Sequence, residues 1–232
     1  MAERERTGVP AELGRIAGVI LAGGQSSRMG AEKAFVVLAG RPLIGHVLDR
    51  LRPQVGKVYV NAREDAERFR ALGCPIILEA EGRGGAGPLA GLSAALRTAR
   101  ADGFDWLASA PCDAPFLPLD LVARLSARIA EGAPAAVAAS SRGPEPIFAL
   151  WPTGAVKQVE AALDAGRASP RSVLAAIGAA ETLFEDAGCD PFANLNAPAD
   201  LAAAEAALAA GKTRAIKPPP GAARARKSGD RQ

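Results

Sequence analysis

Short apolar runs alternate along this chain with stretches whose apolar residues recur every three or four positions. The run IAGVILAGG (16–24) closes on two glycines and predicts a buried strand opening into a loop. In RPLIGHVLDRLRP (41–53), Leu43, Ile44, Val47, Leu48 and Leu51 share one helical face, and Pro53 marks its end. KVYVNA (57–62) is the next predicted strand, EDAERFRALG (64–73) a helix stopped by Gly73, and PIILEA (75–80) a third strand. EGRGGAG (81–87) is a loop on its glycine content. PLAGLSAALRTAR (88–100) predicts a helix with proline in its first turn, DWLASAP (105–111) a fourth strand, and PLDLVARLSARIA (118–130) another proline-started helix.

About four strand–helix alternations predict an α/β fold: a single Rossmann-like, doubly wound, mostly parallel sheet with helices on both faces. AAVAAS (135–140) and PIFALW (146–151) lie closer together and predict a more open, mixed part of that sheet. Two helices (153–166 and 171–178), a last strand (181–186) and a helix over 197–211 with Asp200 in its first turn complete the pattern. The expected organisation is a flexible charged start at 1–14, one domain at 15–211, and a disordered Pro-rich basic tail at 212–232.

Charge changes this picture only once it is located. A net charge of +3 and a pI near 9.0 suggest a nucleic-acid partner. Residues 212–232, however, hold seven basic residues against Asp230 alone, a net +6 that leaves −3 for the other 211 residues. The basicity belongs to the tail, and nucleic acid is not an expected partner. Cys74, Cys112 and Cys189 form no CxxC pair, and His46 is the only histidine, so neither a zinc constellation nor a Cys/His catalytic pair is expected. The start MAERERTGVPAELGR lacks a signal peptide's apolar core, and no run approaches the ~18 apolar residues of a membrane span. A soluble, cytoplasmic protein without membrane contact is expected.

Ligands of a doubly wound sheet bind beyond the carboxyl ends of its strands. After the first strand comes LAGGQSSRMGAEK (21–33), in which Gly23 and Gly24 let phosphate approach backbone N–H groups while Arg28 and Lys33 supply cationic donors. The spacing is neither GxGxxG nor GxxxxGK[ST], which counts against a dinucleotide oxidoreductase and a P-loop enzyme. A glycine turn with surface cations is the alternative. After the fourth strand, SAPCDAPFLP (109–118) sets Asp113 between Pro111 and Pro115, where a carboxylate suits Mg²⁺ or, equally, a structural turn. Cys112 reads as a packed residue, His46 as a surface or satisfied one, and Trp106 and Trp151 as core.

Six segments in order carry a resemblance: LAGGQSSRMG with Lys33, AGRPLI (39–44), VNA with Asn61, GPLAGLSAAL (87–96), PCDAPFLP (111–118) and FANLNAPADL (192–201). Together, over about Ile16 to Leu208, they make the chain similar to the molybdenum cofactor guanylyltransferases of the GT-A-like nucleotidyltransferase superfamily. The resemblance implies a fold of the nucleotide-diphospho-sugar transferase type. It also implies transfer of GMP from GTP to the terminal phosphate of molybdopterin, with Mg²⁺ as cofactor and release of diphosphate. Carried over by position, Leu21, Ala22 and Gly23, with Gly24 beside them, line the guanine nucleotide. Lys33 meets its phosphates, Asn61 lies against the nucleoside, and Asp113 binds the metal and with it the nucleotide. Asn194 and Asn196 meet the pterin, and Arg28 stabilises charge on the transferred phosphorus. Other proteins of molybdenum cofactor synthesis, or enzymes accepting the product, are the partners the resemblance implies.

LAGG with GPLAG resembles the guanine-specific members; cytosine-specific ones are more like LAAG and lack the second motif. The chain departs from the family's pattern where a loop aspartate is usual, since Ala80 aligns there between Glu79 and Glu81. It departs again where Glu145-Pro146 replaces a His-Pro pair, and in its basic tail. The rival readings are a CTP-dependent cytidylyltransferase, a guanylyltransferase for another small phosphorylated acceptor, and a non-catalytic nucleotide-binding protein.

Overall fold

The computed structural model describes residues 15–23, 33–62, 67–78, 87–166, 169–185 and 189–211. Their elements run β1 (Ile16–Leu21), β2 (Val37–Leu38), β3 (Arg41–Pro42), α1 (Leu43–Leu51), β4 (Lys57–Ala62), α2 (Glu67–Arg70), β5 (Ile76–Leu78) and α3 (Pro88–Ala101). There follow β6 (Trp106–Pro111), α4 (Leu121–Ala130), β7 (Ala136–Ser140), β8 (Gly143–Pro152), α5 (Val156–Asp164), α6 (Pro170–Ile177), β9 (Ala180–Leu183) and α7 (Pro198–Ala209).

The main sheet has the order β5-β4-β1-β6-β8-β7-β9, and within it only β8 runs antiparallel to its neighbours. This is the mostly parallel, doubly wound arrangement expected, with its mixed part where 135–151 places it. The chain builds outward from β1 through β4 to β5, then returns to the far side of β1 with β6. That reversal makes the β1/β6 boundary the topological switch point.

Alternation along β1 sorts the two faces. Ile16 and Ile20 pack with Val47 and Leu51 of α1 and Leu125 of α4, while Ala17 and Val19 pack with Leu92 and Leu96 of α3 and Val159 of α5. Gly18 faces α1 at close range: a Cβ there would lie 3.0 Å from Leu51 Cδ2, so a side chain would push the helix off the sheet. Trp151 is fully buried, and its indole N–H donates to Ser109 Oγ at 3.0 Å.

Several elements differ from expectation, β9 among them, which ends at Leu183. Of the helix expected over 64–73, the described residues form a single turn, α2, which buries Phe69, and the chain leaves the helix after Arg70 rather than at Gly73. The helix expected from 118 starts at Leu121, because the carbonyls of Leu117 and Pro118 are held by side chains of the α1 region. The β2/β3 hairpin was not expected: two-residue strands carry no periodicity, and its turn places Ala39 (φ 48°) and Gly40 (φ 78°) in the left-handed region.

Candidate active site

β1 ends level with its neighbours, Leu21 pairing in register with Asn61 of β4 and Pro111 of β6. Beyond the strand, Ala22 N–H donates to the Asn61 carbonyl at 2.8 Å, and Cys112 N–H donates to the Leu21 carbonyl at 3.2 Å. Leu21, Ala22 and Gly23 therefore emerge half-buried between two strand ends, at the switch point where a ligand is expected.

Three other candidate residues converge beside them. Lys33 opens a 3-10 turn (Lys33–Phe35), Asp113 follows β6, and Asn196 precedes α7. The Lys33 ammonium forms an ion pair with Asp113 Oδ2 and donates to Asn196 Oδ1, across 163 positions of sequence. Asp113 is only 6% exposed, and a carboxylate that far from water requires a cation close by. Leu195 N–H donates to the Asp113 carbonyl at 3.0 Å, which stitches the NLN segment onto the post-β6 turn. Asn196 Nδ2 donates to the Asn194 carbonyl at 3.2 Å. Asp200 Oδ2 accepts from the backbone N–H groups of Asn196 (2.8 Å) and Ala197 (2.9 Å), fixing where α7 begins.

Asp113 stands on a braced turn. Arg50 Nη1 donates to the Leu117 carbonyl at 2.9 Å, Gln54 Nε2 to the Pro118 carbonyl at 2.9 Å, and Gln54 Oε1 accepts from Val122 N–H at 2.9 Å. Both side chains are buried, and desolvation lowers the pKa of Arg50. The sequence reading missed this pair. Arg50 sits on α1 and Gln54 in the 3-10 turn after it (Arg52–Gln54), beyond the Pro53 that marks the helix end, so no shared period links them in the sequence.

Asn61 is 1% exposed, and its Nδ2 donates to the Ile77 carbonyl at 3.1 Å. Directly against it lies Gly91 of the GPLAG motif, where an added Cβ would come 1.9 Å from Asn61 Oδ1. Only glycine lets α3 seat on this carboxamide. His46 is buried, Nε2–H donating to the Leu38 carbonyl at 2.9 Å, and burial pushes its pKa down. It belongs to the support of α1. Beside the NLN segment lies a cavity of about 240 Å³ walled by Phe116, Asp190, Asn194, Asp200 and alanines of α7.

Gly24, Arg28, Glu79, Ala80 and Glu81, the start 1–14 and the tail 212–232 lie outside the described residues. Glu145 accepts from Arg142 and Ser140 at the β7–β8 turn. Among the described residues no three His, Cys, Asp or Glu side chains cluster. The donor set nevertheless fits Mg²⁺, which asks one or two carboxylates of a protein and takes phosphate and water for the rest. Asp113, buried and already balanced by a lysine ammonium, meets that requirement.

Residues 18–183 match the family model described as a MobA-like NTP transferase domain. The chain is 44% identical over 195 residues to a molybdenum cofactor guanylyltransferase of Cereibacter sphaeroides, covering 84% of this chain and 97% of the relative. It is 45% identical over 191 residues to that of Rhodobacter capsulatus, covering 82% and 95%. Among solved structures, molybdopterin-guanine dinucleotide biosynthesis protein A from Archaeoglobus fulgidus superposes with a TM-score of 0.67 at 26% identity, over 84% of this chain and 99% of that one.

Proposed function

The chain belongs to the MobA-like NTP transferase family, and from that premise we propose that it transfers GMP from GTP to the terminal phosphate of molybdopterin. The products are the guanine dinucleotide form of the cofactor and diphosphate. The observation that carries the reading is the meeting of Lys33, Asp113 and Asn196 at the switch point, beside the end of β1. The names of the relatives supply the nucleotide and the acceptor.

In this mechanism an acceptor phosphate oxygen attacks the α-phosphorus of GTP in line. One P–O bond forms, the α–β anhydride bond breaks, and diphosphate leaves. A phosphate oxygen is already deprotonated at neutral pH, so no general base is needed, in keeping with a site that holds no histidine. The barrier is repulsion between anions and their positioning, and fixed positive charge lowers it. Leu21, Ala22 and Gly23 receive the nucleotide, with Gly24 giving backbone donors to its phosphates. Lys33, which pairs with Asp113 and donates to Asn196, turns its charge to the phosphates, while Arg28 stabilises the transferred group. Asn61 orders the GPLAG turn of α3 next to the nucleoside. Nucleotidyltransferases of this family are generally metal-dependent; Asp113 would hold Mg²⁺, which supplies charge neutralisation on the triphosphate. Asn194 and Asn196 contact the pterin.

Among the described residues no helix is long and apolar enough to cross a membrane; we place the reaction in the cytoplasm. Diphosphate release, measured from GTP and from CTP with and without molybdopterin, tests the reading. Release from GTP that depends on molybdopterin is expected. Equal release from CTP would move the chain to the cytidylyltransferases, and GTP binding without release would make it a nucleotide-binding protein.

A further inference from the structure

β9 is the outermost strand, and β7 and β8 separate it from β6. β7 runs parallel to β6 and ends at Ser140; β8 starts at Gly143 and runs back. The β7–β8 turn therefore stands on the same carboxyl edge as Asp113. β9 ends on that edge too, three strand positions from β6, roughly 14 Å at about 4.8 Å per strand, and the segment 189–196 runs past that turn to Asp113. What holds it at its height along this path is a charged clamp.

Arg142, in the turn, donates from Nη1 to Asp190 Oδ2 at 2.5 Å and from Nη2 to Glu145 Oε1 at 2.9 Å. Ser140 Oγ donates to the same Glu145 oxygen at 2.8 Å and accepts the Arg142 backbone N–H at 3.2 Å. Asp190 passes the restraint onward, since its Oδ1 accepts from Phe192 N–H at 2.9 Å. The Phe192 ring is then locked between Phe148 (4.7 Å between centroids) and Phe184 (5.5 Å). Asn194, Leu195 and Asn196 follow within four residues of that anchor, and Leu195 and Asn196 make the contacts to Asp113 and Lys33.

We infer that Arg142 is a positioning residue for the acceptor: bridging Glu145 and Asp190, it sets the placement of Asn194 and Asn196 over the sheet edge. The inference rests on the reading of those two asparagines as acceptor contacts. A planar guanidinium spans two carboxylates at once, as a lysine ammonium on its flexible stem does less well. Arg142 is half-exposed, and ion pairs of that kind contribute little to folding, so its effect falls on the geometry of the loop.

Steady-state kinetics of the full chain, with molybdopterin and GTP varied separately, test this. Arg142→Ala should raise the molybdopterin KM about tenfold, the scale of one lost hydrogen bond, and clearly more than it raises the GTP KM, with kcat and the melting temperature nearly unchanged. Asp190→Asn should do the same, the double variant should be no worse than either, and Arg142→Lys should recover part of the loss. Asn194→Ala is the reference arm. If it raises the molybdopterin KM and Arg142→Ala does not, the clamp has no positioning role. If neither moves it, the acceptor reading of the NLN segment itself falls. A parallel rise in the GTP KM would show general distortion and overturn the inference.

Discussion

Lys33 with Asp113 at the carboxyl edge of the sheet, and Lys57 with Asp102 at its amino edge, are the same two residue types in opposite surroundings. The Lys57–Asp102 pair is 2.6 Å long, with side chains 40% and 37% exposed. Tyr59 OH also donates to Asp102 Oδ2 at 2.5 Å, and Arg15 caps the nearby carbonyls of Asp102 and Gly103. Each group there has a partner from a neighbouring strand or helix end; Lys57 and Asp102 stay in contact with water, while the Tyr59 ring is buried. Hydrogen bonds from Lys57 and Tyr59 hold the Asp102 carboxyl below its usual range, and burial, followed by Asp102, pushes the Tyr59 phenol up. The Lys33–Asp113 side chains are 16% and 9% exposed, and they come from loops that lead out of the sheet. Water screens the first pair, so it adds little beyond neatness at a strand start. The second is a balanced charge largely withdrawn from water; in the mechanism we propose, an arriving triphosphate with its cation would rearrange it without leaving either partner bare.

The largest expected effect separates the two aspartates. Asp113→Asn keeps shape and most hydrogen bonds but loses the charge that holds a cation. GTP turnover should fall about a hundredfold or more, roughly 2.7 kcal/mol of transition-state stabilisation, with the melting temperature held or slightly raised. Ordinary turnover at limiting Mg²⁺ would reduce Asp113 to a turn residue like its amino-edge counterpart. Lys33→Ala comes next. Loss of its charge should weaken GTP binding about tenfold, near 1.4 kcal/mol, in calorimetry with Mg²⁺ present, and wild-type affinity would remove the lysine from the phosphate site.

Smaller effects are expected at the amino edge. Asp102→Asn should leave turnover unchanged and lower the melting temperature only slightly at neutral pH. Because the folded-state pKa of Asp102 is depressed, its stabilisation is complete above the unfolded carboxylate value of about 3.9 and disappears as pH falls through the folded value. The variant's thermal stability should therefore depend less on pH below that point than the wild type's. An acid limb identical to wild type would mean that the pair is energetically idle. The smallest expected effect is at the tail: removal of residues 212–232 should change neither melting temperature nor GTP turnover. A large loss of either would show that 15–211 is not the complete unit.

Much of the fold was legible because its signals are local. The β1 run, the α1 stripe over Leu43–Leu51, KVYVNA and the proline-started α3 were all readable within a dozen residues. Short pieces were not: the β2/β3 hairpin has no period to detect. The candidate site was legible only in separate pieces. Gly23 after β1 and Asp113 after β6 followed from the rule that ligands sit beyond strand ends, and Asn61, Asn194 and Asn196 entered only through the family resemblance.

Alone, the sequence determined the alternation of strands and helices, the mostly parallel sheet they demand, and which loops follow the strand ends. Periodicity and turn preference act over a few residues, so they can be read without coordinates. Only the tertiary structure decided that Lys33 reaches both Asp113 and Asn196, and that Arg50 and Gln54 brace the Asp113 turn from beneath. It likewise decided that Gly91 exists to clear Asn61 and that Arg142 pins the segment crossing toward β6. Each of those contacts joins residues far apart in the chain, and distance in sequence says nothing about which side chains a packed sheet and its helices bring within hydrogen-bond reach.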